Sequence, residues 1–354
     1  MADFYPLRVT EIAHDTREAV VLTLEPRDED RERFRFRPGQ YLTLRRHFDG
    51  TELRRSYSIC SGPGEALKVG VKRVEGGAFS SFAKGDLKVG DSVEAMVPQG
   101  RFAAPEEVGG RHYLGFAAGS GITPVLSIAK AVLGADATAR FTLVYGNRAV
   151  SQIMFRRELG DLKDRHLGRF SLVHVLSGEA GEIPLFSGRI DGAKTRELLA
   201  SWVRIETVDA AFICGPETMM REVSGALEEA GLPKDRIRFE LFGAAQPGRL
   251  AARPASASAE AKAVRATVIV DGSPHAFTMG REETILDAAR AEGLDAPFSC
   301  RAGVCSTCIG RVVSGEVEMA QNYALEDYEV RRGLVLTCQA RPVTDAVTIE
   351  YGGH

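Results

Sequence analysis

The sequence predicts a multidomain chain: an antiparallel β-barrel, then an α/β block with a parallel sheet, then a smaller α+β block. Three observations support this prediction. The chain has 354 residues, which is more than one ordinary hydrophobic core organises. The spacing of apolar residues changes partway along the chain. A segment rich in Ala, Pro and Ser at residues 244–263 then separates the last block from the others.

The first two blocks differ in how their apolar residues are spaced. Residues 1–104 hold short alternating runs such as AVVLTLEP and KVGVKRV between PG, DG and GG turns, which is typical of antiparallel strands and predicts the barrel. Residues 105–243 instead alternate apolar strands with amphipathic helices, as in YLGFAAG followed by TPVLSIAKAVL. This alternation predicts an open parallel sheet with crossover helices.

The segment at residues 244–263 is predicted to be a flexible linker. A coil of this length spans about 25 Å on average, so we expect the block that follows it to move relative to the rest. In that last block, residues 264–354, the pair Asp271-Gly272 predicts a hairpin turn. The run TILDAARAEG predicts a helix that ends at Gly293.

Composition and charge exclude several classes of protein. Apolar residues make up 44% of the chain and charged residues 26%, which excludes a wholly disordered or collagen-like chain. The formal net charge is −3, so no overall basic field predicts a nucleic acid or a membrane surface as partner. The first residues lack the features of a secretory signal, and no apolar run is long enough to span a membrane. We therefore expect a cytoplasmic protein.

Four of the six cysteines lie close together near the end of the chain. Cys300, Cys305 and Cys308 have the spacing C-x4-C-x2-C, and Cys338 follows 30 residues later. This is the plant-type spacing of the ligands to a 2Fe-2S cluster. The small residues between the first three cysteines suit a loop that folds tightly over such a cluster. The alternative is a structural zinc site, but those sites usually have two C-x2-C pairs, whereas this sequence has one.

Two segments of the barrel block predict a flavin site. Arg55, Tyr57 and Ser58 lie along one predicted strand. A turn at Gly77 then leads to Ser80 at the start of a predicted helix. Backbone amides, hydroxyls and the Arg55 guanidinium would bind a diphosphate, Tyr57 would stack on a planar ring, and Ser58 would hydrogen-bond the redox nitrogen of that ring. The alternative for the first segment is a solvent-exposed strand face.

The α/β block contains two loops that suit a nucleotide. Gly119 and Gly121 join a strand to a helix, where phosphates could approach the backbone amides; a structural turn is the alternative. Cys214 ends another strand, which we expect at the same edge of the sheet. There it would lie beside a nicotinamide or be a buried structural cysteine. Cys60, within a barrel strand, is expected in the core.

The chain resembles the ferredoxin–NADP reductase superfamily in four motifs that occur in the family's order: RSYS, GGAFSS, GSGITP and CGPETMM. Its cysteine block resembles a plant-type 2Fe-2S ferredoxin domain of β-grasp fold. Further similarity to oxygenase reductases, a group that includes the reductase subunit of the bacterial phenylacetyl-CoA epoxidase complex, lies in RRSYSICS, VPQGRF, VYGNR, NYALE and VLTCQA. The similarity extends from about Pro6 to Tyr351 and leaves out only the linker.

The resemblance implies three cofactors and assigns residues to each of them. Residues 1–104 would bind FAD, residues 105–243 would bind NAD(P)H, and residues 264–354 would bind the 2Fe-2S cluster through the four cysteines. Ser58 and Cys214 would face the reacting flavin and nicotinamide rings. The other residues implied to contact FAD or the nucleotide are the following: Arg55, Tyr57, Val71, Lys72, Gly77, Phe79, Ser80, Ser81, Gly119, Gly121, Thr123, Arg148, Arg157 and Phe242.

One departure from the family bears on the choice of nucleotide. Plant-type members hold the 2′-phosphate with a Ser-Arg pair after the third strand of the parallel sheet, and this chain has Ser177-Gly178 there. The resemblance implies NADPH as the electron donor, and NADH stays open as an alternative. Arg148, or Arg156 and Arg157 of the following helix, would have to replace the missing arginine.

The chemistry that these cofactors imply is electron transfer. Hydride leaves NADPH with two electrons, a 2Fe-2S cluster accepts one at a time, and a flavin handles both, so FAD is expected between them. We expect the electrons to pass to the non-haem di-iron oxygenase component of a phenylacetyl-CoA epoxidase. One alternative is a reductase for another oxygenase, such as a ketosteroid hydroxylase or an aromatic-ring dioxygenase. Another is a ferredoxin-type carrier whose first two blocks are a non-catalytic scaffold. The oligomeric state stays open.

Overall fold

The computed structural model describes residues 3–48, 50–179, 181, 183–241, 263–325 and 327–352. The predicted fold class is confirmed within these residues: a sheet of antiparallel pairs is followed by a parallel sheet and by a third, mixed sheet. Phe242 and all of the predicted linker except Ala263 lie outside the described residues. The predicted domain boundaries and the linker stay predictions.

The first sheet contains six strands. They are β1 (Tyr5–Thr16), β2 (Ala19–Pro26), β3 (Tyr41–Phe48), β4 (Thr51–Ser58), β5 (Leu67–Lys72) and β6 (Ser92–Ala95). Their order is β4-β3-β6-β1-β2-β5. Ile59, just after β4, pairs with Val69 of β5 in an isolated antiparallel bridge, which brings the two ends of this order together as the predicted barrel requires. The helix α1 (Ala78–Gly85) follows β5.

The second sheet contains five parallel strands. They are β7 (His112–Ala118), β8 (Arg140–Asn147), β9 (Phe170–Leu176), β10 (Ala210–Gly215) and β11 (Ile237–Leu241). Their order is β11-β10-β7-β8-β9, so the chain runs outward from β7 to β9 and then returns to the other side of β7. This change of direction makes the carboxyl ends of β7 and β10 the topological switch point of the sheet.

Four helices connect these parallel strands. They are α2 (Ile122–Ala135), α3 (Arg156–Arg165), α4 (Gly192–Ser201) and α5 (Glu217–Glu229). The residues of α2 from Ile122 to Leu133 are all buried, because this helix packs against the sheet on one side and the barrel on the other. The Ser127 hydroxyl donates to the Ser61 carbonyl of the barrel at 2.5 Å. Cys60 is buried in the same core, as the sequence predicts.

The third sheet belongs to the last block of the chain. Its strands are β12 (Val264–Val270), β13 (Ser273–Met279), β14 (Ile309–Ser314), β16 (Leu334–Leu336) and β18 (Ala346–Glu350), in the order β13-β12-β18-β14-β16. A separate pair is formed by β15 (Val317–Met319) and β17 (Ala340–Pro342), and the helices are α6 (Ile285–Ala291) and α7 (Asp327–Arg331).

Two local predictions for this block are confirmed. Asp271 and Gly272 have φ angles of 50° and 76°, as a tight turn between β12 and β13 requires. The helix α6 begins after Thr284, whose hydroxyl accepts a hydrogen bond from the Asp287 amide. Gly293, with φ 80°, follows the end of that helix.

The chain forms two compact units. Among the described residues, one comprises those within 3–4, 43–56 and 263–352, and the other comprises those within 5–42 and 57–241. The division passes through β3 and β4, so the tip of the β3–β4 hairpin belongs with the last block of the chain. Across the described ranges, none of the helices is both long enough and apolar enough to cross a membrane.

We expect Gly121→Ala to lower the free energy of unfolding by about 1–3 kcal/mol. A Cβ atom at Gly121 would stand 2.2 Å from the Cys214 carbonyl oxygen, and backbone atoms cannot move aside without shifting a strand. Thermal unfolding followed by circular dichroism measures the loss.

The matched control is Gly134→Ala in α2, where a Cβ would meet none of the described atoms within 4 Å. That replacement should be neutral or stabilising by up to about 1 kcal/mol. Equal melting temperatures for the two variants would contradict the expected strain at Gly121.

Candidate functional site

The predicted nucleotide loop lies at the switch point of the parallel sheet. Gly119 has φ +54°, a conformation that favours glycine. Gly121 packs directly against the backbone of Cys214 at the end of β10. The sequence predicts these two strand ends at one edge, and the structure brings them into contact. In open α/β sheets, ligands bind at this edge.

Ser58, Cys214 and Glu240 converge at the same edge. The buried Ser58 hydroxyl donates to Glu240 Oε2 at 3.0 Å. Cys214 is the partner of Glu240 in the pairing of β10 with β11. Burial, and then the charge of Glu240, raise the pKa of the Cys214 thiol, so this thiol stays neutral. The arrangement places a neutral thiol beside a hydroxyl–carboxylate pair that can hold a proton at Ser58 Oγ.

Glu240 is a site residue that the sequence does not predict. The residue lies 182 positions from Ser58 in the sequence, on an edge strand where a glutamate is ordinarily a solvent-exposed residue. No local motif marks it, because only the pairing of β11 with β10 brings it to the site.

Tyr57 is supported by a second aromatic ring. The ring centroids of Tyr57 and Phe79 are 5.5 Å apart, with 38° between the ring planes. Phe79 is 2% exposed, whereas Tyr57 is half-buried. Phe79 therefore packs in the core and holds Tyr57 in place, and Tyr57 is the ring of this pair that is accessible for stacking. Val71, in β5, is also a core residue at 1% exposure.

The turn before α1 uses its own serine hydroxyl. Ser80 Oγ accepts from the Val74 amide at 3.1 Å and donates to the Gly77 carbonyl at 3.3 Å. The Ser80 hydroxyl is therefore engaged in holding the turn. The amides at the start of α1 and the exposed Ser81 are the donors that suit an anion there. The diphosphate contacts of Gly77, Ser80 and Ser81 stay predictions.

Lys72 lies beside Gly119, and the charge of Arg148 acts on Lys72. Lys72 Nζ is 3.6 Å from the position that a Gly119 Cβ would occupy. Burial, and then the charge of Arg148 at the end of β8, lower the pKa of Lys72. In the part of the chain that the structure describes, neither cation forms a salt bridge. Two like charges beside a glycine loop fit the phosphates of a nucleotide.

Asn147 gives a second sign of a ligand at this edge. It is 8% exposed, and among the described residues neither its amide nitrogen nor its amide oxygen has a hydrogen-bond partner. Leaving such a buried group unpaired costs about 1–3 kcal/mol. A bound nucleotide that hydrogen-bonds Asn147 would remove this cost. Asn147 belongs to the YGNR motif, but the sequence alone does not predict a role for it.

Two other residues predicted to bind the nucleotide, Thr123 and Arg157, do not act together with Lys72 and Arg148 in the structure. Thr123 is 1% exposed, and its hydroxyl donates to the Ser120 carbonyl at 2.9 Å, where it holds the start of α2. Arg157 is exposed on α3, and no described contact joins it to Lys72 or Arg148. The geometry favours Arg148 over Arg157 as the cation at the phosphates, and the predicted roles of Thr123 and Arg157 stay predictions.

The Ser177-Gly178 segment also contacts Arg148. The Gly178 amide donates to the Arg148 carbonyl at 2.8 Å, and a Cβ at Gly178 would stand 2.8 Å from the same oxygen. Any side chain at this position, including the arginine of plant-type relatives, would force the two loops apart. The close approach explains why glycine follows Ser177 here.

The four cysteines of the last block form two pairs. The Cys300 amide donates to Cys305 Sγ at 3.4 Å, and a hydrogen bond from the Cys305 thiol lowers the pKa of Cys300. The Cys308 thiol lowers the pKa of Cys338 in the same way. Two pairs of sulfurs suit a cluster of two irons, in which each iron takes two protein ligands. Over the described ranges, no three His, Cys, Asp or Glu side chains are arranged to hold a single metal ion.

The loop that carries these cysteines is shaped to face sulfur atoms. Arg301, Gly303 and Ser306 all have left-handed φ angles, of 55°, 75° and 58°. This path directs the Ala302 amide to Cys300 Sγ at 3.4 Å. Gln339 Nε2 donates to the Arg301 carbonyl at 3.1 Å and approaches Cys338 Sγ at 3.6 Å. Donors around the sulfurs stabilise bound cluster thiolates, so the residues present fit a 2Fe-2S cluster.

Three family models match successive parts of the chain. Residues 7–103 match an oxidoreductase FAD-binding domain, residues 116–225 match an oxidoreductase NAD-binding domain, and residues 268–343 match a 2Fe-2S iron-sulfur cluster binding domain. The three matches follow the order of the three sheets.

Curated relatives match the chain over almost its full length. One subunit of the 1,2-phenylacetyl-CoA epoxidase of Escherichia coli (strain K12) is 42% identical over 99% of this chain and 98% of the relative. The 3-ketosteroid-9-alpha-monooxygenase, ferredoxin reductase component, of Rhodococcus rhodochrous is 35% identical over 98% of this chain and 96% of the relative.

Solved structures share the fold. Phthalate dioxygenase reductase has a TM-score of 0.59 at 22% identity, and the alignment covers 98% of each chain. An intact type IV self-sufficient cytochrome P450 monooxygenase has a TM-score of 0.70 at 22% identity, and this chain aligns with 41% of that longer chain. Both alignments cover 98% of this chain and therefore include all three of its sheets.

We expect Arg55→Ala to weaken FAD retention about 10- to 150-fold, because a charge-assisted contact with a diphosphate contributes about 1.5–3 kcal/mol. Tyr57→Ala should also weaken retention by removing the stacked ring. Flavin absorbance per protein after gel filtration at low protein concentration measures the effect. The control is Arg46→Ala, an exposed arginine on the same hairpin. Equal flavin occupancy in all three variants would reject both assignments.

We expect the KM for NADPH to rise in the alkaline range. Lys72 is charged at low pH, and because its pKa is lowered, it loses that charge at a lower pH than an exposed lysine does. Lys72→Arg keeps the charge and should remove most of the rise. Steady-state kinetics against pH measure it, with NADH run in parallel. A larger rise for NADPH than for NADH would assign the cations to the 2′-phosphate, equal rises would assign them to the diphosphate, and a flat profile would contradict the prediction.

Proposed function

The chain belongs to the family of oxygenase reductases that combine FAD-binding, NAD-binding and 2Fe-2S cluster-binding domains, and on this basis we propose which oxygenase it serves. As a member of this family, the protein is an NAD(P)H-dependent flavin oxidoreductase that passes electrons through FAD and a 2Fe-2S cluster to an oxygenase component. The proposed acceptor is the non-haem di-iron oxygenase component of a phenylacetyl-CoA epoxidase.

The proposal rests on a difference in sequence identity between two relatives that align with nearly the same share of this chain. The relative from the phenylacetyl-CoA epoxidase is 42% identical, whereas the ketosteroid monooxygenase reductase component is 35% identical. Both alignments span 98% or more of this chain, so the difference does not come from an additional or missing domain. A ketosteroid monooxygenase is the second candidate acceptor.

NADPH is the proposed electron donor. The support is Lys72 beside Gly119 together with Arg148, whose charge acts on Lys72, since an additional phosphate gains from additional positive charge. None of the six cysteines forms a disulfide, which suits the reducing cytoplasm where NADPH is also formed.

We propose a different role for each residue of the site. Arg55 and the amides at the start of α1 would hold the FAD diphosphate, and Tyr57, held by Phe79, would orient the flavin ring. Bound FAD supplies the exchange between a two-electron donor and one-electron acceptors. Ser58, hydrogen-bonded to Glu240, would hold a proton at its Oγ atom beside the reacting ring. The buried Cys214 thiol would exclude water from the nicotinamide position.

The experiment that tests the proposal joins the purified chain to purified oxygenase components. With NADPH and O2, we expect the chain to support turnover by a phenylacetyl-CoA epoxidase oxygenase component at least about tenfold faster than by a ketosteroid monooxygenase oxygenase. Product formed per NADPH consumed is the measurement. Faster turnover with the ketosteroid enzyme would favour the second candidate.

The control in the same experiment is Cys305→Ser. This change removes one cluster ligand, so epoxidation should be lost while NADPH-driven ferricyanide reduction, which needs only the flavin, stays largely intact. Epoxidation that persists in this variant would mean that the electrons bypass the cluster.

A further inference from the structure

Arg54 is a buried cation on the β3–β4 hairpin, and it contacts the segment that leads into the cluster loop. Its side chain is only 4% exposed. The guanidinium donates to Glu52 Oε1 at 3.0 Å on its own strand. Towards the last block of the chain it lies 3.6 Å from Asp295 Oδ1 and 3.5 Å from the Phe298 carbonyl oxygen. One side chain therefore joins the hairpin to residues 295–298.

Aromatic contacts add to this junction. Arg54 Cζ lies 4.0 Å from the centroid of the Phe298 ring and 4.8 Å from that of Phe4. Arg290 Cζ, from α6, lies 4.1 Å from the same Phe298 centroid. Cation–π contacts of this kind strengthen as water is removed, and Phe298 is 5% exposed. Phe298 thus contacts one arginine from the hairpin and one from the cluster block.

A hydrogen bond then links the two residues next to the cofactor positions. Ser56 Oγ and Ser299 Oγ are 2.6 Å apart, and Thr43 Oγ1 lies 3.4 Å from Ser56 Oγ. Ser56 immediately precedes Tyr57, the predicted flavin-stacking ring, and Ser299 immediately precedes Cys300, the first cluster ligand. The bond therefore joins the last residue of the hairpin before Tyr57 to the last residue before the cluster loop.

We propose that Arg54 and Ser56 are positioning residues for electron transfer: they dock residues 295–299 on residues 52–56 of the hairpin and so fix the path of the chain into the cluster loop. The proposal rests on the proposed function, because it needs a flavin at Tyr57 and a cluster at Cys300. Burying a charge is unfavourable compared with burying an apolar side chain. The directional contacts of Arg54 therefore select one docked position of the loop.

The cluster must receive an electron from the flavin twice for each NADPH, so the docked position of the loop is needed twice in each catalytic cycle. Each NADPH oxidised releases two electrons and one proton, and the proton passes to solvent. A 2Fe-2S cluster takes one electron at a time, so it must be reduced and then emptied into the oxygenase twice for each nucleotide. Only molecules with the cluster loop docked would pass an electron from flavin to cluster, and the observed rate then scales with the docked fraction.

The test is anaerobic stopped-flow with the full chain and NADPH, following the flavin and cluster absorption bands separately. In Arg54→Met, which keeps an unbranched apolar stem but removes the charge and the hydrogen-bond donors, flavin bleaching should keep the wild-type rate and cluster bleaching should slow by about tenfold. In Arg54→Lys, the rate of cluster bleaching should lie between those of wild type and Arg54→Met. Lysine keeps a charge for Asp295 but loses the planar stacking on Phe298. The control is Arg46→Met, an exposed arginine of the same hairpin, which should behave as wild type.

Two further measurements separate positioning from a general loss of structure. The midpoint potentials of flavin and cluster, and the FAD and iron contents, should be unchanged in Arg54→Met. If that variant loses FAD, Asp295→Asn tests the same contact from the cluster side, where the side chain is 43% exposed, and it should slow cluster bleaching about threefold.

The outcomes are distinguishable. Cluster bleaching within twofold of wild type in Arg54→Met with full FAD, or in Asp295→Asn if FAD is lost, would overturn the docking role of Arg54. Equal slowing in Arg46→Met would overturn it too. A wild-type protein in which NADPH never bleaches the cluster would overturn the proposed electron route itself, and the docking role with it.

Discussion

The backbone contact between Gly121 and the Cys214 carbonyl oxygen sets the geometry of the reactive edge. Since no side chain separates the two, the nucleotide loop after β7 touches the end of β10. The neighbouring strand β11 is then in register to bring Glu240 to the Ser58 hydroxyl of the barrel. A methyl group at residue 121 would push these strand ends apart. It would thereby separate Ser58, Cys214 and Glu240, the groups that we propose to lie at the reacting rings.

The sequence reveals those features of this protein that depend on neighbours along the chain. The spacing of Cys300, Cys305 and Cys308, the hairpin at Asp271-Gly272 and the alternation of strands with helices are local patterns, and each of them predicts structure correctly. The fold class follows from them, because layers of strands and helices allow few arrangements.

The features that the sequence does not reveal depend on contacts between distant residues. Glu240 meets Ser58, and Arg54 meets Phe298, across 182 and 244 positions, and no local motif marks either pair. Ser80 shows a different limit. Its motif favours a phosphate ligand, yet its hydroxyl bonds to the turn that contains it. Short polar side chains often make such local bonds, and the sequence alone does not say which partner is chosen.

The backbone of the cluster loop is strained, and this strain links the stability of the last block to the supply of iron. Arg301 and Ser306 hold left-handed φ angles without being glycine, and each such residue costs about 1–3 kcal/mol. Cluster ligation offsets that cost, because binding free energy at such a site acts as folding free energy. A chain synthesised while iron is scarce would open more often in this block and would meet proteases in that state. The amount of this reductase in a cell would then follow the availability of iron, without any change in transcription.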